Sequence, residues 1–480
     1  MVKIIVTWGF GFRNFNYICI NNGRPPTPTP ARPRHAPAAR EPHYHTAMRV
    51  LIVNTSEKTG GAAVAANRLM EALKNNGVKA KMLVRDKETD LITVVATPHQ
   101  LLMQWRFLWE RLVIFLHTHF SRKHLFEIDI ASAGADITGL REFKEADVIH
   151  LHWVNQGMLS LSDIRKILDS GKPVVWTMHD MWPATAICHL TLGCRKFTTG
   201  CSACPLLPAG LFGDTARHVW RKKQRLLKGG GRLIFVACSK WLASEARQSK
   251  LLEGKSVVSI PNPIDRRVFC PGDKAEARRM LGLPEGRRLM LFVAQRVSSG
   301  NKGAAYLIEA CRLLSERHPD IAANMGIVML GGSGIELAGQ FAIPAYPLGY
   351  VSDTERIVAA YRAADLFVMP SLSENLPNTI MEAMACGVPC VGFNTGGIPE
   401  MIDHRRNGYV AAYKDAADLA AGIGLGDVYK RQRWALADAD AEELGRNAVH
   451  KVSVSYSQQS VAIKYIEVYN QAVAYKRYSL

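Results

Sequence analysis

The chain has 480 residues, 48% of them hydrophobic and 21% charged, which is typical of a globular protein with more than one core. It contains no run of about 18 uncharged apolar residues, so no transmembrane helix is expected. The formal net charge of +18 favours anionic partners such as nucleotide phosphates or membrane lipid. Because no nucleic-acid-binding motif accompanies that charge, we expect no nucleic-acid partner.

Residues 1–47 show no core pattern, and the Pro-, Arg- and Ala-rich stretch 25–40 predicts disorder. A buried strand begins only at Met48. We therefore interpret residues 1–47 as a disordered or spurious extension ahead of a natural start at Met48, with a genuine basic tail as the alternative. No secretory signal is recognisable, so we expect a cytoplasmic protein with reduced cysteines.

Strands and helices alternate through the first half of the chain, which predicts a parallel sheet with crossover helices. A loop with Gly60 and Gly61 separates the first strand from a helix over 62–74. The strands are expected at residues 48–53, 79–84, 148–152, 174–178, 233–237 and 257–260. This alternation defines an N-terminal Rossmann-like domain over 48–262.

Residues 101–120 predict a helix with many aromatic and apolar side chains, and with Arg and Lys beside them. This composition is typical of a helix that lies in a membrane interface. A helix packed into the core of the first domain is the alternative. Taken with the net charge, the pattern favours peripheral contact with an anionic membrane surface.

His179 follows the strand over 174–178 and is expected to face a cleft at the carboxyl end of the sheet. A hydrogen-bonded structural imidazole is the alternative. Four cysteines follow closely, at Cys188, Cys194, Cys201 and Cys204, and the last two have zinc-knuckle spacing. They predict either a structural zinc site or a group of buried thiols or a disulfide; each would stiffen this loop.

A linker at 261–265 precedes a second series of strands. These strands are expected at residues 289–293, 326–330, 345–348, 366–369 and 390–393. We therefore predict an α/β fold with a second doubly wound Rossmann-like domain over 263–455, an interdomain cleft, and a terminal helix in 456–480. The stretch 424–432 interrupts a helical pattern; we interpret it as an artefact of sequence assembly, with a surface loop as the alternative.

Arg296 and Lys302 come just after the first strand of the second domain. Two cations at the carboxyl end of a strand can neutralise a diphosphate as it leaves. A solvated basic loop is the alternative. Gly332 lies in a glycine-rich turn after the next strand, where the backbone can approach a ligand closely.

Glu374 and Glu382 bracket the start of a predicted helix that follows the strand over 366–369. With Asn378 or Thr379 as N-cap, free backbone N–H groups at the helix start would attract phosphate. A phosphate site with a carboxylate on each side suits a ligand with phosphate at its centre and hydroxyls at both ends. A nucleotide sugar has that layout.

The segment 373–391 resembles the retaining glycosyltransferases of family 4, which have the GT-B fold and a Glu-x7-Glu signature between a strand and a helix. The resemblance implies that Glu374 contacts hydroxyls of the donor sugar and that Glu382 contacts the ribose. The family often has Gly-Phe-Gly after the first Glu, where this chain has Asn375, Leu376 and Pro377. Because Pro377 has no N–H, one potential phosphate donor is absent.

The same resemblance implies further roles. His179 faces the donor sugar and the reacting centre, and Arg296 with Lys302 neutralises the leaving diphosphate. The other implied donor contacts are Gly60, Gly61, Gly332, Tyr350, Val351, Leu376, Asn378 and Thr379. The first domain is implied to bind the acceptor and the second the donor, while the terminal helix packs back on the first domain.

The expected function is that of a retaining, hexosyltransferase-type enzyme with no cofactor required for catalysis. It would move a sugar from a UDP- or GDP-linked donor to a glycan or lipid-linked acceptor in polysaccharide biosynthesis, in the cytoplasm or on the inner face of the membrane. One alternative is a GT-B nucleotide-sugar epimerase, which would need additional acid/base carboxylates and no acceptor site. The other is a non-catalytic sugar-nucleotide or glycan-binding module, against which the intact Glu374, Glu382, Arg296 and Lys302 argue.

Overall fold

The computed structural model describes residues 47–207, 213–228, 232–297, 300–424 and 434–474, without the side chains of Arg296 and 434–440. The extension over 1–46 and nearly all of the segment interpreted as an artefact lie outside the described residues. Neither interpretation is therefore tested.

The first domain is built on a seven-stranded sheet in which neighbouring strands are parallel. The spatial order is β3-β2-β1-β4-β5-β6-β7. Every residue of its central strands β4 and β5 is buried, because helices cover both faces of the sheet. The strands are β1 (Arg49–Ser56), β2 (Lys79–Asp86), β3 (Val94–Ala96), β4 (Val148–Leu151), β5 (Val174–Met178), β6 (Leu233–Ala237) and β7 (Ser256–Ser259).

Within the described ranges, six α-helices lie between these strands, and side-chain caps mark the starts of the fourth and the sixth. Ser160 and Asp163 form a reciprocal capping box at the start of the fourth helix, and Ser239 caps the sixth. The helices are α1 (Gly61–Lys74), α2 (Gln100–His117), α3 (Arg141–Glu145), α4 (Leu161–Asp169), α5 (Thr215–Lys228) and α6 (Lys240–Arg247).

The second domain has a six-stranded parallel sheet in the order β10-β9-β8-β11-β12-β13. Its strands are β8 (Arg288–Arg296), β9 (Met325–Gly332), β10 (Ala345–Gly349), β11 (Leu366–Met369), β12 (Cys390–Phe393) and β13 (Gly408–Ala411). The remaining helices are α7 (Lys274–Leu281), α8 (Ala304–Arg317), α9 (Pro319–Ala323), α10 (Gly334–Ala338), α11 (Thr354–Ala363), α12 (Asn378–Ala385), α13 (Ile398–Met401), α14 (Ala416–Ile423), α15 (Trp434–Ser455) and α16 (Gln458–Ala474).

Helix α16 packs on the first domain although it ends the described chain. Val461, Tyr465 and Tyr469 are buried in the core cluster that also holds residues of β1, β2 and α1. The chain thus crosses between the domains twice, and the crossings touch where the Ile264 N–H donates to the Tyr456 carbonyl at 2.9 Å. Two linkers in contact restrict how the domains can move against each other.

Both sheets reverse their strand order at an internal pair of neighbours, β1 with β4 and β8 with β11. In open parallel sheets ligands bind beyond the carboxyl ends of the strands at such a switch point. The loops that follow these four strands carry Gly60 and Gly61, His152, Lys302 and Glu374. Of the predicted site residues, Gly60, Gly61, Lys302 and Glu374 therefore follow strands at the two switch points, whereas His179 follows β5.

Candidate active site

The start of α12 lies against the glycine loop of the first domain. Pro377 occupies the N-cap position and no side chain caps the helix, so the prediction of Asn378 or Thr379 as N-cap is wrong. The Asn378 side chain instead donates to the Gly61 carbonyl at 3.0 Å and accepts from the Asn262 amide at 3.1 Å. An uncapped helix start beside a glycine loop is suited to bind phosphate through backbone N–H groups.

Glu374 and Lys302 form an ion pair between the loops that follow β11 and β8. The two loops are also joined by their backbones, since the Leu372 N–H donates to the Asn301 carbonyl at 2.8 Å. Lys302, which is predicted to neutralise the diphosphate, therefore lies beside Glu374, which is predicted to contact the sugar.

Gly396 and Gly397, which the sequence analysis did not single out, support the Glu374 loop from behind. A Cβ on Gly396 would lie 1.6 Å from the Glu374 carbonyl oxygen, and Gly396 has a φ of +55°. A Cβ on Gly397 would lie 1.9 Å from the Asn375 carbonyl oxygen. Only glycine allows this approach, so the pair fixes the path of the loop that carries Glu374.

Glu382 is 8% exposed, and both of its carboxylate oxygens accept hydrogen bonds. Tyr361 donates its hydroxyl to Oε2 at 2.6 Å, and Arg68 of α1 donates from Nη2 to Oε1, also at 2.6 Å. Burial, followed by the charge of Glu382, raises the pKa of Tyr361 far above its ordinary value, so the phenol stays a donor. Arg68 belongs to the other domain, so this contact spans the cleft.

His179 lies at the carboxyl end of β5, as the sequence predicted, but its ring faces protein groups. Its Nε2 is 2.9 Å from Nδ1 of His152, and its Nδ1 is 3.5 Å from Sγ of Cys238. Burial lowers the pKa of His179 to about 4, so the imidazole is neutral at physiological pH. A neutral ring with both nitrogens engaged is suited to positioning rather than to taking up a proton.

Asp180, the next residue, is the centre of a second group that the sequence analysis missed. Its Oδ2 accepts from Nε1 of Trp153 at 2.9 Å and pairs with Nδ1 of His189 at 2.8 Å. Burial opposes ionisation of Asp180, but the interactions with His189 and the hydrogen bonds from Trp182 and Trp153 together outweigh it, so the pKa of Asp180 is lowered. A charged carboxylate thus orders two aromatic side chains at the carboxyl edge of the first sheet.

The remaining predicted donor residues are placed as follows. Gly332 ends β9, and its carbonyl accepts from the Val297 N–H at 3.0 Å. Tyr350 is 72% exposed beyond the end of β10, with Val351 half-buried beside it. Thr379 is half-buried in the first turn of α12, whereas the Leu376 side chain is buried in the second-domain core and can offer a ligand only its backbone. The Arg296 side chain lies outside the described residues.

The four cysteines of the loop after β5 are free thiols. Burial raises the pKa of Cys188 to about 12 and that of Cys201 to about 11, and it also raises the pKa of Cys204. Within the described ranges, no three His, Cys, Asp or Glu side chains are grouped so that they could hold a metal ion. Because zinc binds thiolates, these thiols would have to release their protons on binding the metal. Structural zinc stays a prediction that metal analysis of the purified protein can decide.

Comparison with known proteins identifies the family. Residues 59–268 match the family described as Glycosyltransferase Family 4, and residues 287–424 match Glycosyl transferases group 1. The D-inositol 3-phosphate glycosyltransferase of Pseudarthrobacter chlorophenolicus is 30% identical over 347 residues, which cover 68% of this chain and 71% of that protein. The chain belongs to glycosyltransferase family 4. A relative of the same name from Catenulispora acidiphila is 32% identical over 230 residues, 45% of this chain and 51% of its own length.

Solved structures show that this family-4 glycosyltransferase has the GT-B fold. Sucrose-phosphate synthase from Thermosynechococcus elongatus superposes with a TM-score of 0.60 at 18% identity, over 89% of this chain and 99% of its own. Anabaena Alr3699/HepE in complex with UDP superposes with a TM-score of 0.55 at 16% identity, over 88% of this chain and 100% of its own. At such identities the likeness concerns the fold.

Proposed function

We propose that this glycosyltransferase moves a hexosyl group, with retention of anomeric configuration, from a UDP- or GDP-linked donor to a glycan or lipid-linked acceptor in polysaccharide biosynthesis. The observation that carries the proposal is the uncapped start of α12, with Glu374 on one side and Glu382 on the other. A diphosphate at the helix start would place one sugar of the donor at each carboxylate. HepE, a protein of the same fold, is solved with UDP and with UDP-glucose.

Different residues of the site would have different roles in such a transfer. Lys302, with Arg296 at the end of β8, would neutralise the diphosphate as the bond between the sugar carbon and the phosphate oxygen breaks. Glu374 would hold the hydroxyls of the transferred sugar. The acceptor oxygen would bond to the sugar carbon on the face that the phosphate leaves, and its proton would pass to the departing phosphate oxygen. No protein nucleophile is needed in this route, and His179, neutral and paired with His152, would position the sugar.

We also propose that the enzyme works at the inner face of an anionic membrane, docked through α2. The buried residues of this helix are Met103, Glu110, Arg111 and Ile114, while Trp105 is 69% and Trp109 is 57% exposed. Glu110 accepts from the backbone N–H groups of Ile130 at 2.9 Å and Ser132 at 2.8 Å, which anchors the polar side to the domain. The solvent-facing stripe consists of Leu101, Leu102, Trp105, Leu108, Trp109 and Leu112.

A cationic cavity beside α2 supports an anionic membrane as the partner. His117, the last residue of α2, lines a cavity of about 900 Å³ between α4 and α5. Its cationic lining residues are Arg165, Arg217, Arg221, Lys222 and Arg225. An exposed apolar stripe on a helix whose last residue lines a cationic cavity suits acyl chains with anionic headgroups. In the part of the chain that the structure describes, no helix has the length and apolarity to cross a bilayer.

Nucleotide release on addition of an acceptor tests the transfer. The purified protein should be incubated with UDP- and GDP-sugars, with and without candidate glycan and lipid-linked acceptors. Acceptor-dependent release of UDP or GDP, with a product whose anomeric configuration by NMR equals that of the donor, is the expected result. A new nucleotide sugar without acceptor would show an epimerase, an inverted product would contradict retention, and binding without turnover of any donor would show a binding module.

A further inference from the structure

The guanidinium of Arg68 is the one group on the first domain that contacts a predicted ribose-binding side chain across the cleft, among the residues that the structure describes. It is held by Glu382 at 2.6 Å and lies over the ring of Phe269, with its carbon 5.0 Å from the ring centroid. Its side chain is 13% exposed. Two such contacts fix the orientation of the guanidinium plane.

The hydrogen-bonding capacity of this pair is only partly used. Arg68 Nη1 is buried and has no hydrogen-bond partner within the described residues. A guanidinium has five N–H donors, and an unpaired buried donor is costly. On Glu382 each oxygen accepts one recorded bond, whereas a carboxylate has about four acceptor positions. The pair therefore has an unpaired buried donor on Arg68 and unfilled acceptor positions on Glu382.

A hydroxyl group both donates and accepts one hydrogen bond at the same oxygen, so it complements a donor beside an acceptor. We propose that Arg68 is a specificity-determining residue for the nucleotide, which binds the ribose hydroxyls together with Glu382 and so selects ribonucleotide over 2′-deoxyribonucleotide donors. This inference rests on the proposed use of a nucleotide-sugar donor. Glu382 is placed to accept a hydrogen bond from the hydroxyl group, and Arg68 is placed to donate a hydrogen bond to the hydroxyl oxygen.

The position of Arg68 gives the contact a second consequence. Arg68 lies on α1, directly after the glycine loop that meets α12 through Asn378 and Gly61. A ribose held by Arg68 and Glu382 therefore links the two domains at the same place as the diphosphate site. Nucleotide binding would favour the arrangement in which the domains are in contact.

The test is calorimetric binding of UDP and GDP, each compared with its 2′-deoxy form. The wild type should bind the ribonucleotide of the accepted base more tightly than the deoxy form. Arg68→Gln should weaken binding of the ribonucleotide by roughly tenfold, the loss of one charge-assisted hydrogen bond, and should leave the deoxy form less affected. Arg68→Lys keeps the charge and should recover part of the preference.

Lys74→Gln is the matched control, because Lys74 lies on the same helix in an exposed ion pair with Glu71. It should leave both affinities unchanged. An equal ribo-to-deoxy ratio in wild type and Arg68→Gln would overturn the inference while leaving the transferase proposal standing. If the folded wild type bound neither UDP nor GDP, the proposed donor class itself would fail, and the inference with it.

Discussion

His152 and His179 share a hydrogen bond of 2.9 Å in the cleft-facing edge of the first sheet, and both rings are neutral. Burial lowers the pKa of His152 well below its usual value, and His150 behind it has a pKa of about 3 for the same reason. Three neighbouring histidines thus stay uncharged in the folded protein under conditions where exposed histidines begin to protonate.

This neutral cluster predicts a loss of stability in mild acid. The unfolded chain takes up protons on these histidines below about pH 6.5, whereas the folded state does not until near pH 4. The free energy of unfolding is therefore unaffected by them above pH 7 and falls as the pH drops from 6.5 towards 4. Between pH 7.5 and 5.5 each histidine should remove about 1.4 kcal/mol, or roughly 4 kcal/mol for the three.

Urea unfolding of the wild type and His150→Gln at pH 7.5 and 5.5 measures this effect. Since His150 bonds to Thr177 and Tyr469, the variant should be less stable at both pH values. Its pH-dependent loss, however, should be smaller than that of the wild type by about one histidine's share, roughly 1.4 kcal/mol. Equal pH-dependent losses in the two proteins would show that His150 takes up its proton over the same pH range in the folded and the unfolded chain.

The cationic loop after β8 predicts a strong effect on turnover. Lys302→Ala and Arg296→Ala should each lower kcat by about a hundredfold, because each removes about 3 kcal/mol of charge-assisted contact with the leaving diphosphate. Lys250→Ala is the control, since Lys250 forms an exposed ion pair with Glu253. Initial rates at saturating donor give kcat for each variant. A wild-type kcat in both Lys302→Ala and Arg296→Ala would contradict the proposed role of these cations at the leaving diphosphate.

The glycine pair behind Glu374 predicts a backbone effect on the site. Gly396→Ala would force a Cβ into the Glu374 carbonyl and strain a backbone with positive φ, so it should lower the free energy of unfolding by about 1–3 kcal/mol. It should also lower activity, because the clash displaces Glu374. Gly339→Ala is the control, because a Cβ there meets nothing within 4 Å. Urea unfolding and donor KM should be measured together; a Gly396→Ala enzyme with wild-type stability and KM would show that the loop can shift freely.

The sequence was informative where patterns are local. The apolar runs of the inner strands and the spacing of Glu374 and Glu382 predicted the two parallel sheets and the loops at their carboxyl ends. The edge strands β3 and β13 were missed because β3 has only three residues, and β13 begins with Gly408 and is only half-buried at its two middle residues. The N-cap of α12 was misassigned because the Asn378 side chain bonds to Gly61, far away in the chain.

The missed site residues have a common physical cause. Arg68, Tyr361 and the Asp180–His189 pair gain their roles from contacts over the fold, and nothing in their local sequence distinguishes them from ordinary helix or loop residues. The exposed face of α2 was also hidden. Its composition suggested a membrane interface, but only the structure shows that Glu110 and Arg111 are buried with Met103 and Ile114 while both tryptophans are exposed.

The exposed apolar stripe of α2 predicts how the enzyme binds lipid. Trp105→Ser with Trp109→Ser removes the two largest exposed side chains of α2, and burial of such groups contributes about 25 cal/mol per Å² of apolar surface. The double variant should therefore bind vesicles containing phosphatidylglycerol at least tenfold more weakly in a sedimentation assay. Arg221→Gln with Lys222→Gln should abolish the preference for these vesicles over phosphatidylcholine.

Both variants should keep wild-type donor affinity, because neither pair of residues touches the site. Equal sedimentation of all three proteins would contradict docking through α2. Loss of soluble monomer or a change of oligomeric state in the Trp variant alone would assign the stripe to contact between copies of the chain.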